Sequence, residues 1–324
     1  MYNFLDSIGV YEKEQCMYEF ILPEINQHLD HQISPHIYPS PIEKILILQD
    51  LSYFGYYTRD YRKQLTLEES KIALQTLAKF HAASYKLQLG QHKSLTKVYN
   101  ELLYSEDLVT RTVKIWLPII SILLQKENFP LQQIQQLTSM KDEIIKNFLF
   151  VINSHVTKFN VLNHGDFRTT NILFKYNDLG EPIDVKLIDF QICRLCSPVF
   201  DIIYFMMSSI PFVIFVKNSE ELYDAYLETL NNTLSKLNCQ RHYRKIELKN
   251  DLVHMKSIYL FVFCLLNIIF GNSNCVRFNL MHIKGEEEMD KVYDFDIVEE
   301  VCNDKIFIEK LCEWFKYFVS NGYI

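Results

Sequence analysis

The sequence predicts an α+β protein in which a small mixed segment leads into a large helical lobe with β-hairpins at its centre. Apolar residues follow a helical spacing over much of the chain, as in the stripe over residues 67–88. The pattern changes at Val161, where short apolar runs alternate with turn residues, as is typical of hairpin strands. Helical patterns return after Pro198 and continue to about residue 270.

The first quarter of the chain supplies the small mixed segment. Residues 10–29 carry apolar side chains at near-helical spacing, which predicts an amphipathic helix. Three prolines within 35–41 predict an irregular, extended connection. The apolar run 45–48 is consistent with a buried strand that leads into a turn.

The large lobe begins with the helix over 67–88. Further helices are predicted over 94–103, 107–126 and 130–156, and strands over 161–163, 171–175 and 184–188. A polar segment with three consecutive glutamates, 286–288, predicts an exposed loop before a last helix over 297–320.

Composition narrows the classes of function. The chain has 324 residues, 48% hydrophobic and 23% charged, which are values typical of globular proteins. Its net charge of −7 offers no long-range attraction to nucleic acid or to an anionic membrane. Two apolar runs, 202–216 and 258–270, predict buried helices rather than membrane spans, which need about 20 residues. We expect a cytoplasmic protein with no nucleic-acid, membrane or evident protein partner.

Eight cysteines in a chain of this length do not indicate a disulfide framework. Cys193 and Cys196 form a CxxC pair without a second pair, so it is either half of a zinc site or two buried thiols. Reduced, buried thiols are the simpler interpretation.

The most informative segment runs from His164-Gly165-Asp166 to Asn171, and Asp189 follows at the end of the next apolar strand. Phosphoryl transfer to an alcohol needs an acceptor for the hydroxyl proton and hard oxygen ligands for Mg²⁺. Asp166 suits the first role, and Asn171 and Asp189 suit the second. Gly165 allows the tight turn that brings the carboxylate to the surface.

Each residue also has a simpler explanation. Asp166 alone could be an ordinary turn residue. Three oxygen ligands near strand ends that face one cleft are harder to explain as a solvated surface. For His164, a structural role that anchors the loop by hydrogen bonding is favoured over a role as base.

These motifs resemble those of the ecdysteroid kinase-like family, whose relatives include choline kinases and aminoglycoside phosphotransferases with a protein-kinase-like fold. The resemblance extends from residue 4 to about residue 320. Besides the segment 164–191, it rests on Tyr11–Glu14, Leu46–Leu51, Leu77–Ser84, Pro198, Asp201, Tyr204 and Phe205.

The resemblance implies a role for each candidate site residue. Asp166 is the catalytic base, Asn171 and Asp189 hold Mg²⁺, and Asp201 is a structural anchor that supports the loop together with His164. Glu14 is a helix carboxylate that pairs with a phosphate-binding lysine, unless it simply lies on a solvated helix face. The hinge backbone of Gln49, Asp50 and Leu51 holds the adenine ring of ATP.

The resemblance also implies a division into residues 1–52, a remnant of a small lobe with its hinge, and 53–324, the large lobe with the site hairpins. Only nine residues precede Val10, so we expect the glycine loop and the lysine strand to be absent. At Arg168 the family usually has tryptophan. This arginine either contacts a phosphate or acceptor, or is stacked or solvated.

The resulting prediction is an ATP-dependent, Mg²⁺-requiring phosphotransferase that acts on the hydroxyl group of a small, lipophilic molecule, with an ecdysteroid-like acceptor suggested by the family. The alternative is a catalytically silent binding or scaffold protein, or a fragment of a longer kinase.

Overall fold

A computed structural model describes residues 9–90, 98–100, 103–153, 157–270 and 303–324, and its mixture of helices and small sheets confirms the α+β class. The helices are α1 (Val10–Cys16), α2 (Leu22–Gln27), α3 (Leu67–Leu89), α4 (Glu106–Lys126), α5 (Leu131–Ser139), α6 (Lys141–Asn153), α7 (Val199–Ser208), α8 (Phe212–Lys236), α9 (Lys245–His254), α10 (Lys256–Phe270) and α11 (Lys305–Ser320). The strands are β1 (Ile37–Tyr38), β2 (Ile47–Leu48), β3 (Tyr56–Thr58), β4 (Val161–Asn163), β5 (Ile172–Tyr176), β6 (Pro182–Leu187) and β7 (Arg194–Cys196).

The chain divides into two compact units. The mixed unit comprises residues 5–102 and 155–254, and the helical unit comprises 1–4, 103–154 and 255–324. The domain boundary predicted at residue 52 lies inside the mixed unit, so the assignment of 1–52 to a small lobe stays a prediction.

In the helical unit, α4 packs against α6, and α10 contacts α4, α6 and α11. The single helix predicted over 130–156 is wrong, because the chain breaks at Met140 between α5 and α6. The hydroxyl groups of Thr138 and Ser139 donate to carbonyls of the preceding turn. Such local bonds compete with helix propagation, which accounts for the break.

The predicted helix over 10–29 forms as α1 and α2, joined by a π-helical turn over Met17–Ile21. The turn buries Met17, Tyr18 and Ile21. A π-helical turn inserts an extra residue, and such turns often occur at functional sites. Tyr18, which lies in this turn, contacts the ring of Phe190 edge-on.

The strand predicted at 45–48 is present as β2, which pairs antiparallel with β1. The expectation that it is buried is wrong, because Ile45 is 46% exposed and Ile47 is 39% exposed. In the described part of the chain β2 pairs with β1 alone, and a two-stranded hairpin cannot cover both of its faces.

Helix α3 begins with a capping box between Thr66 and Glu69, each of which accepts a hydrogen bond from the other's backbone N–H. Its apolar side packs along α8, and its other contacts include β4 and β6. The helix therefore forms a rigid support behind the strands that carry the candidate site.

A three-stranded sheet in the order β3-β5-β6 forms the centre of the mixed unit. Strands β5 and β6 form the predicted hairpin, with Ile172 opposite Leu187. Asn177 and Gly180 close its turn, and Gly180 has a φ of +78°. A second small sheet pairs β4 with β7, a strand that was not predicted. The two sheets set the positions of the loop after β4 and of the segment after β6.

Several predictions fall partly or wholly outside the described residues. The described positions of the helix predicted over 94–103, which are 98–100 and 103, form turns and bends instead. Helix α11 confirms the C-terminal part of the helix predicted over 297–320, and residues 297–302 lie outside the described set. The predicted loop at 286–288 also lies outside it. Among the helices that are described, none has the length and apolarity needed to cross a membrane.

Candidate active site

A buried carboxylate holds the loop that follows β4. Asp201, in the first turn of α7, accepts hydrogen bonds from the backbone N–H of His164 at 2.6 Å and of Gly165 at 2.9 Å. Its side chain is fully buried. Hydrogen bonds from amides to a carboxylate are roughly twice as strong as neutral ones. The geometry supports the anchor role proposed for Asp201.

The anchor is itself held from behind by two further buried groups. His81 of α3 lies 3.1 Å from Asp201 through Nε2 and 2.8 Å from the hydroxyl group of Tyr226 through Nδ1. Burial lowers the pKa of His81, so the ring is neutral. A carboxylate only accepts, so Nε2 carries the proton, and Nδ1 accepts from Tyr226. Although burial acts to raise the pKa of Asp201, the hydrogen bond from His81 holds it below its ordinary value.

Gly165 allows the loop to pass close to the segment after β6. Its φ is +88°, a left-handed conformation that residues with a side chain rarely adopt. A Cβ atom at this position would lie 2.2 Å from the carbonyl oxygen of Ile192. Gly165 therefore permits both the tight turn predicted from the sequence and this close contact between two backbones.

Asp166 lies beside two of the candidate residues. Asn171 donates from Nδ2 to Oδ2 of Asp166 at 2.9 Å, and also to the Asp166 carbonyl oxygen at 2.9 Å. The Nε of Arg168 lies 3.0 Å from Oδ1 and 3.2 Å from Oδ2 of the same carboxylate. The Asp166 side chain is 14% exposed, so it remains accessible at the surface of the site.

Asp189 follows β6 and approaches Asp166 from the other strand end. Its φ of +67° is unusual for a residue with a side chain, and such backbone strain is often found at functional sites. Burial raises the pKa of Asp189, and the negative charge of Asp166 contributes in the same direction. Asp189 thus lies within electrostatic range of Asp166, which Asn171 contacts directly, and the shared metal site predicted for Asn171 and Asp189 stays a prediction.

Glu14 faces Asp189 from α1 rather than solvent. Burial raises the pKa of Glu14 to about 7, and the charge of Asp189 adds to the effect, while a hydrogen bond from the backbone of Phe190 opposes it. The solvated helix face considered from the sequence is wrong for Glu14 for this reason.

Lys13, the neighbour of Glu14, is buried and serves the backbone. Its Nζ donates to the carbonyl oxygen of Cys193 at 2.6 Å and to that of Asn100. These bonds tie α1 to the segment that follows Asp189. The Lys13 ammonium group is therefore engaged by backbone carbonyl groups in this structure.

The His164 ring supports the same segment. Its Nε2 lies 3.0 Å from the carbonyl oxygen of Ile188, next to Asp189. The ring also packs against Phe190 with a centroid distance of 4.8 Å, and Phe190 contacts Tyr18 edge-on. A ring held in this way positions Asp189, which supports the structural role proposed for His164.

The donor set fits Mg²⁺ at Asn171 and Asp189. Carboxylate and amide oxygens are hard ligands, and Mg²⁺ commonly takes one or two from the protein and the rest from phosphates and water. Nδ2 of Asn171 is used by Asp166, and Oδ1 accepts from the hydroxyl group of Thr170 at 3.3 Å, so Oδ1 has one further lone pair with which to bind a cation. The negative charge of Asp166 helps to raise the pKa of Asp189, and a carboxylate beside another negative charge also favours a nearby cation. No cluster of three or more His, Cys, Asp or Glu side chains suited to a metal occurs in the described ranges.

The predicted hinge residues lie between β2 and β3. Asp50 is exposed and accepts hydrogen bonds from the N–H and hydroxyl groups of Ser52, which starts a short 3₁₀ turn. Leu51 is buried, and its carbonyl oxygen accepts from the backbone of Phe54. Gln49 pairs through its backbone N–H with the carbonyl oxygen of His36. Contact of this backbone with an adenine ring stays a prediction.

Three contacts could not be predicted from the sequence: the ion pair of Arg168, the carbonyl bonds of Lys13, and the support of Asp201 by His81. A solvated Arg168 is wrong, because its side chain is 28% exposed and its Nε pairs with Asp166, while a contact with a phosphate or acceptor stays a prediction. The CxxC cysteines are buried thiols, as expected. The only sequence signal for these contacts is the unusual residue at Arg168.

Comparisons with known proteins place this sequence in a family. The sequence profile of the ecdysteroid kinase-like family matches residues 1–239. Two solved structures are similar over most of their length. A choline/ethanolamine kinase family protein from Mesorhizobium loti has a TM-score of 0.38 and 10% identity, over 94% of this chain and 84% of the other. An ethanolamine kinase from Plasmodium vivax has a TM-score of 0.47 and 16% identity, over 97% and 74%.

No curated protein matches the chain. The family profile covers well over half of the 324 residues and includes every candidate site residue from Glu14 to Asp201. The family suspected from the sequence motifs is therefore confirmed. This chain belongs to the ecdysteroid kinase-like family.

Proposed function

We propose that the protein transfers the γ-phosphoryl group of Mg·ATP to the hydroxyl group of a small, lipophilic molecule. Membership of the family supports a small-molecule kinase at a coarse level. The observation that carries the finer proposal is the loop carboxylate Asp166, which Asn171 holds at 2.9 Å beside Asp189. A proton acceptor next to two hard oxygen ligands is the arrangement that phosphoryl transfer to an alcohol requires.

In this proposal Asp166 accepts the proton of the acceptor hydroxyl group as the oxygen attacks phosphorus. The products are a phosphate monoester, ADP and the proton. Asn171 and Asp189 hold Mg²⁺, which neutralises phosphate charge when bound. The backbone of Gln49–Leu51 contacts the adenine ring. The remaining work is positioning, to which Asp201 contributes by holding the loop that carries Asp166.

The lipophilic acceptor, and an ecdysteroid-like one in particular, is proposed from the family. The 20 tyrosines and 23 phenylalanines of the chain suit a greasy pocket. Among the described residues, however, many of these rings pack in the core, such as Phe80, Phe174 and Phe190. The acceptor is therefore best identified with a panel that contains an ecdysteroid, a long-chain primary alcohol and ethanolamine.

The test combines calorimetry of Mg·ATP binding with ADP release in the presence of that panel. Asp166→Ala should lower turnover by roughly 10²–10⁴-fold with little change in Mg·ATP affinity, the range for a positioned general base. Asp189→Ala should weaken Mg·ATP binding as well as turnover, because the metal bridges the phosphates. Asp178→Ala, an exposed carboxylate in the β5–β6 turn, is the matched control and should resemble the wild type. Equal, small effects of the first two substitutions would contradict the assigned roles.

A catalytically silent binding protein remains the second candidate, and one observation favours it. Both oxygens of Asp166 already contact Arg168, so the proton acceptor is engaged by a cation. The same experiment separates the two functions. Mg·ATP binding without ADP release for any acceptor, and without an effect of Asp166→Ala, would favour the silent protein.

A further inference from the structure

Arg168 places a positive charge among the carboxylates of the candidate site. It pairs with Asp166 and also interacts electrostatically with Asp189. Although burial acts to lower the pKa of Arg168, the charge of Asp166 raises it above its ordinary value, so the group is a permanent cation. Lys13, the nearby helix lysine, is buried and binds the carbonyl oxygens of Cys193 and Asn100. Arg168 is therefore a cation placed to meet a ligand at Asp166.

The backbone fixes where this guanidinium group can reach. Arg168 has an extended backbone conformation just before the short 3₁₀ turn over Thr169–Asn171. Its carbonyl oxygen accepts from the N–H of Asn171 at 2.8 Å, and the N–H of Thr169 donates to the hydroxyl group of Ser209 at 3.0 Å. These bonds fix the backbone of Arg168 between Asp166 and Asn171. Its side chain is therefore confined to the neighbourhood of these two residues.

Only part of the guanidinium group is used. Within the described part of the chain its hydrogen bonding runs through Nε to the two oxygens of Asp166. A guanidinium group has five N–H donors in a planar fork that matches the spacing of phosphate oxygens. With 28% of the side chain exposed, the Nη groups can meet a ligand while Nε keeps its contact with Asp166.

The chemistry of the proposed reaction indicates which ligand oxygens lie near the Nη groups of Arg168. Asp166 must reach the proton of the attacking hydroxyl group, and that hydroxyl oxygen must lie about 3–3.5 Å from phosphorus. A group bonded to Asp166 is therefore next to the phosphoryl group in transfer. Its equatorial oxygens carry charge in the transition state, and a cationic donor at this point lowers the barrier.

We propose that Arg168 binds the terminal phosphate of the nucleotide and keeps its contact with that phosphoryl group during transfer. The proposal rests on the proposed function. It assigns a phosphate-binding role to a residue that stands where the family usually has tryptophan. Arg168 then both orients Asp166 through Nε and neutralises the phosphoryl group through its Nη donors.

The test compares the affinities of the full chain for Mg·ATP and Mg·ADP by calorimetry. Arg168→Gln removes the charge and should weaken Mg·ATP binding by about 10–100-fold, the range expected for the loss of hydrogen bonds to a charged group. It should change Mg·ADP affinity by less than about twofold. Arg168→Lys keeps the charge without the fork and should restore part of the Mg·ATP affinity.

Arg244→Gln is the matched control, because Arg244 also pairs with a carboxylate through Nε, at 2.9 Å from Glu247, outside the candidate site. It should change neither affinity. Circular dichroism and thermal unfolding show whether each variant is folded. If Arg168→Gln does not fold, the comparison of Mg·ATP and Mg·ADP affinities is made with Arg168→Lys.

Three outcomes would overturn the proposal. Equal weakening of Mg·ATP and Mg·ADP, or no weakening of either, would show that Arg168 only supports Asp166. A change confined to the KM of the acceptor would place Arg168 in the acceptor site instead. In these cases Asp189→Ala still weakens both nucleotides and the proposed function stands. If the wild-type chain binds no Mg·ATP, the proposed function fails first and this proposal fails with it.

Discussion

Gly165→Ala tests whether the close approach of the loop to the segment after β6 holds the candidate site together. Two costs add at this position. The left-handed φ of +88° costs an alanine about 1–2 kcal/mol. The added Cβ would also lie 2.2 Å from the carbonyl oxygen of Ile192, and overpacking of this kind costs about 1–3 kcal/mol. We expect the free energy of unfolding to fall by about 2–5 kcal/mol.

Gly180→Ala separates the two costs. Gly180 has a similar φ of +78°, but a Cβ there would meet nothing within 4 Å. It therefore incurs the conformational cost alone, about 1–2 kcal/mol. Both glycines lie in the mixed unit, so the same unfolding transition reports on both.

The assay is urea unfolding followed by circular dichroism, together with hydrogen exchange of the amides in 161–172. The exchange measurement localises the effect, because a clash at Gly165 should reduce the protection of the loop amides that Asp201 binds. Gly180→Ala should leave those amides protected. Equal losses of stability in the two variants, with unchanged protection at the loop, would show that the contact with Ile192 does not hold the loop in place.

Two further predictions concern buried carboxylates. The pKa of Glu14 is raised from 4.5 to about 7, so the folded state binds its proton more tightly than the unfolded state. The free energy of unfolding of the wild type should therefore fall by up to about 3 kcal/mol as the pH rises from about 4.5 to about 7 in EDTA buffer. In Glu14→Gln this decrease should be absent. Parallel pH profiles of the two proteins would contradict the prediction. Asp201→Asn leaves the amides of His164 and Gly165 with a single acceptor oxygen, and should cost about 3–5 kcal/mol in urea unfolding. A loss below about 1 kcal/mol would argue against the anchor role.

The predictions from the sequence succeeded where the signal is local. Helix α3 was predicted to within one residue of its C-terminal end, because its apolar stripe lies within the segment. The β5–β6 hairpin was predicted because the residues of its turn lie next to one another. The break at Met140 was missed because weak hydroxyl bonds, rather than a proline or glycine, end α5.

Burial on the first hairpin depends on elements distant in the sequence. The run 45–48 is apolar and was expected to be buried, yet Ile45 and Ile47 are exposed in the structure. Hydrophobicity shows that a strand would gain from burial. Whether another element covers it depends on the neighbours that the fold provides.

The chemical groups of the candidate site can be identified from the sequence alone: a carboxylate after a glycine turn, a carboxamide five residues later and a second carboxylate at a strand end. These features lie in short segments, and the family that they indicated is confirmed by a profile that matches residues 1–239. Tertiary structure decided what each charge contacts. Lys13 reaches Cys193 across 180 residues, and Asp201 reaches the loop across 37. Such partners are chosen by the path of the chain and by burial, because a charge removed from water must find a hydrogen-bonding group wherever the fold brings one.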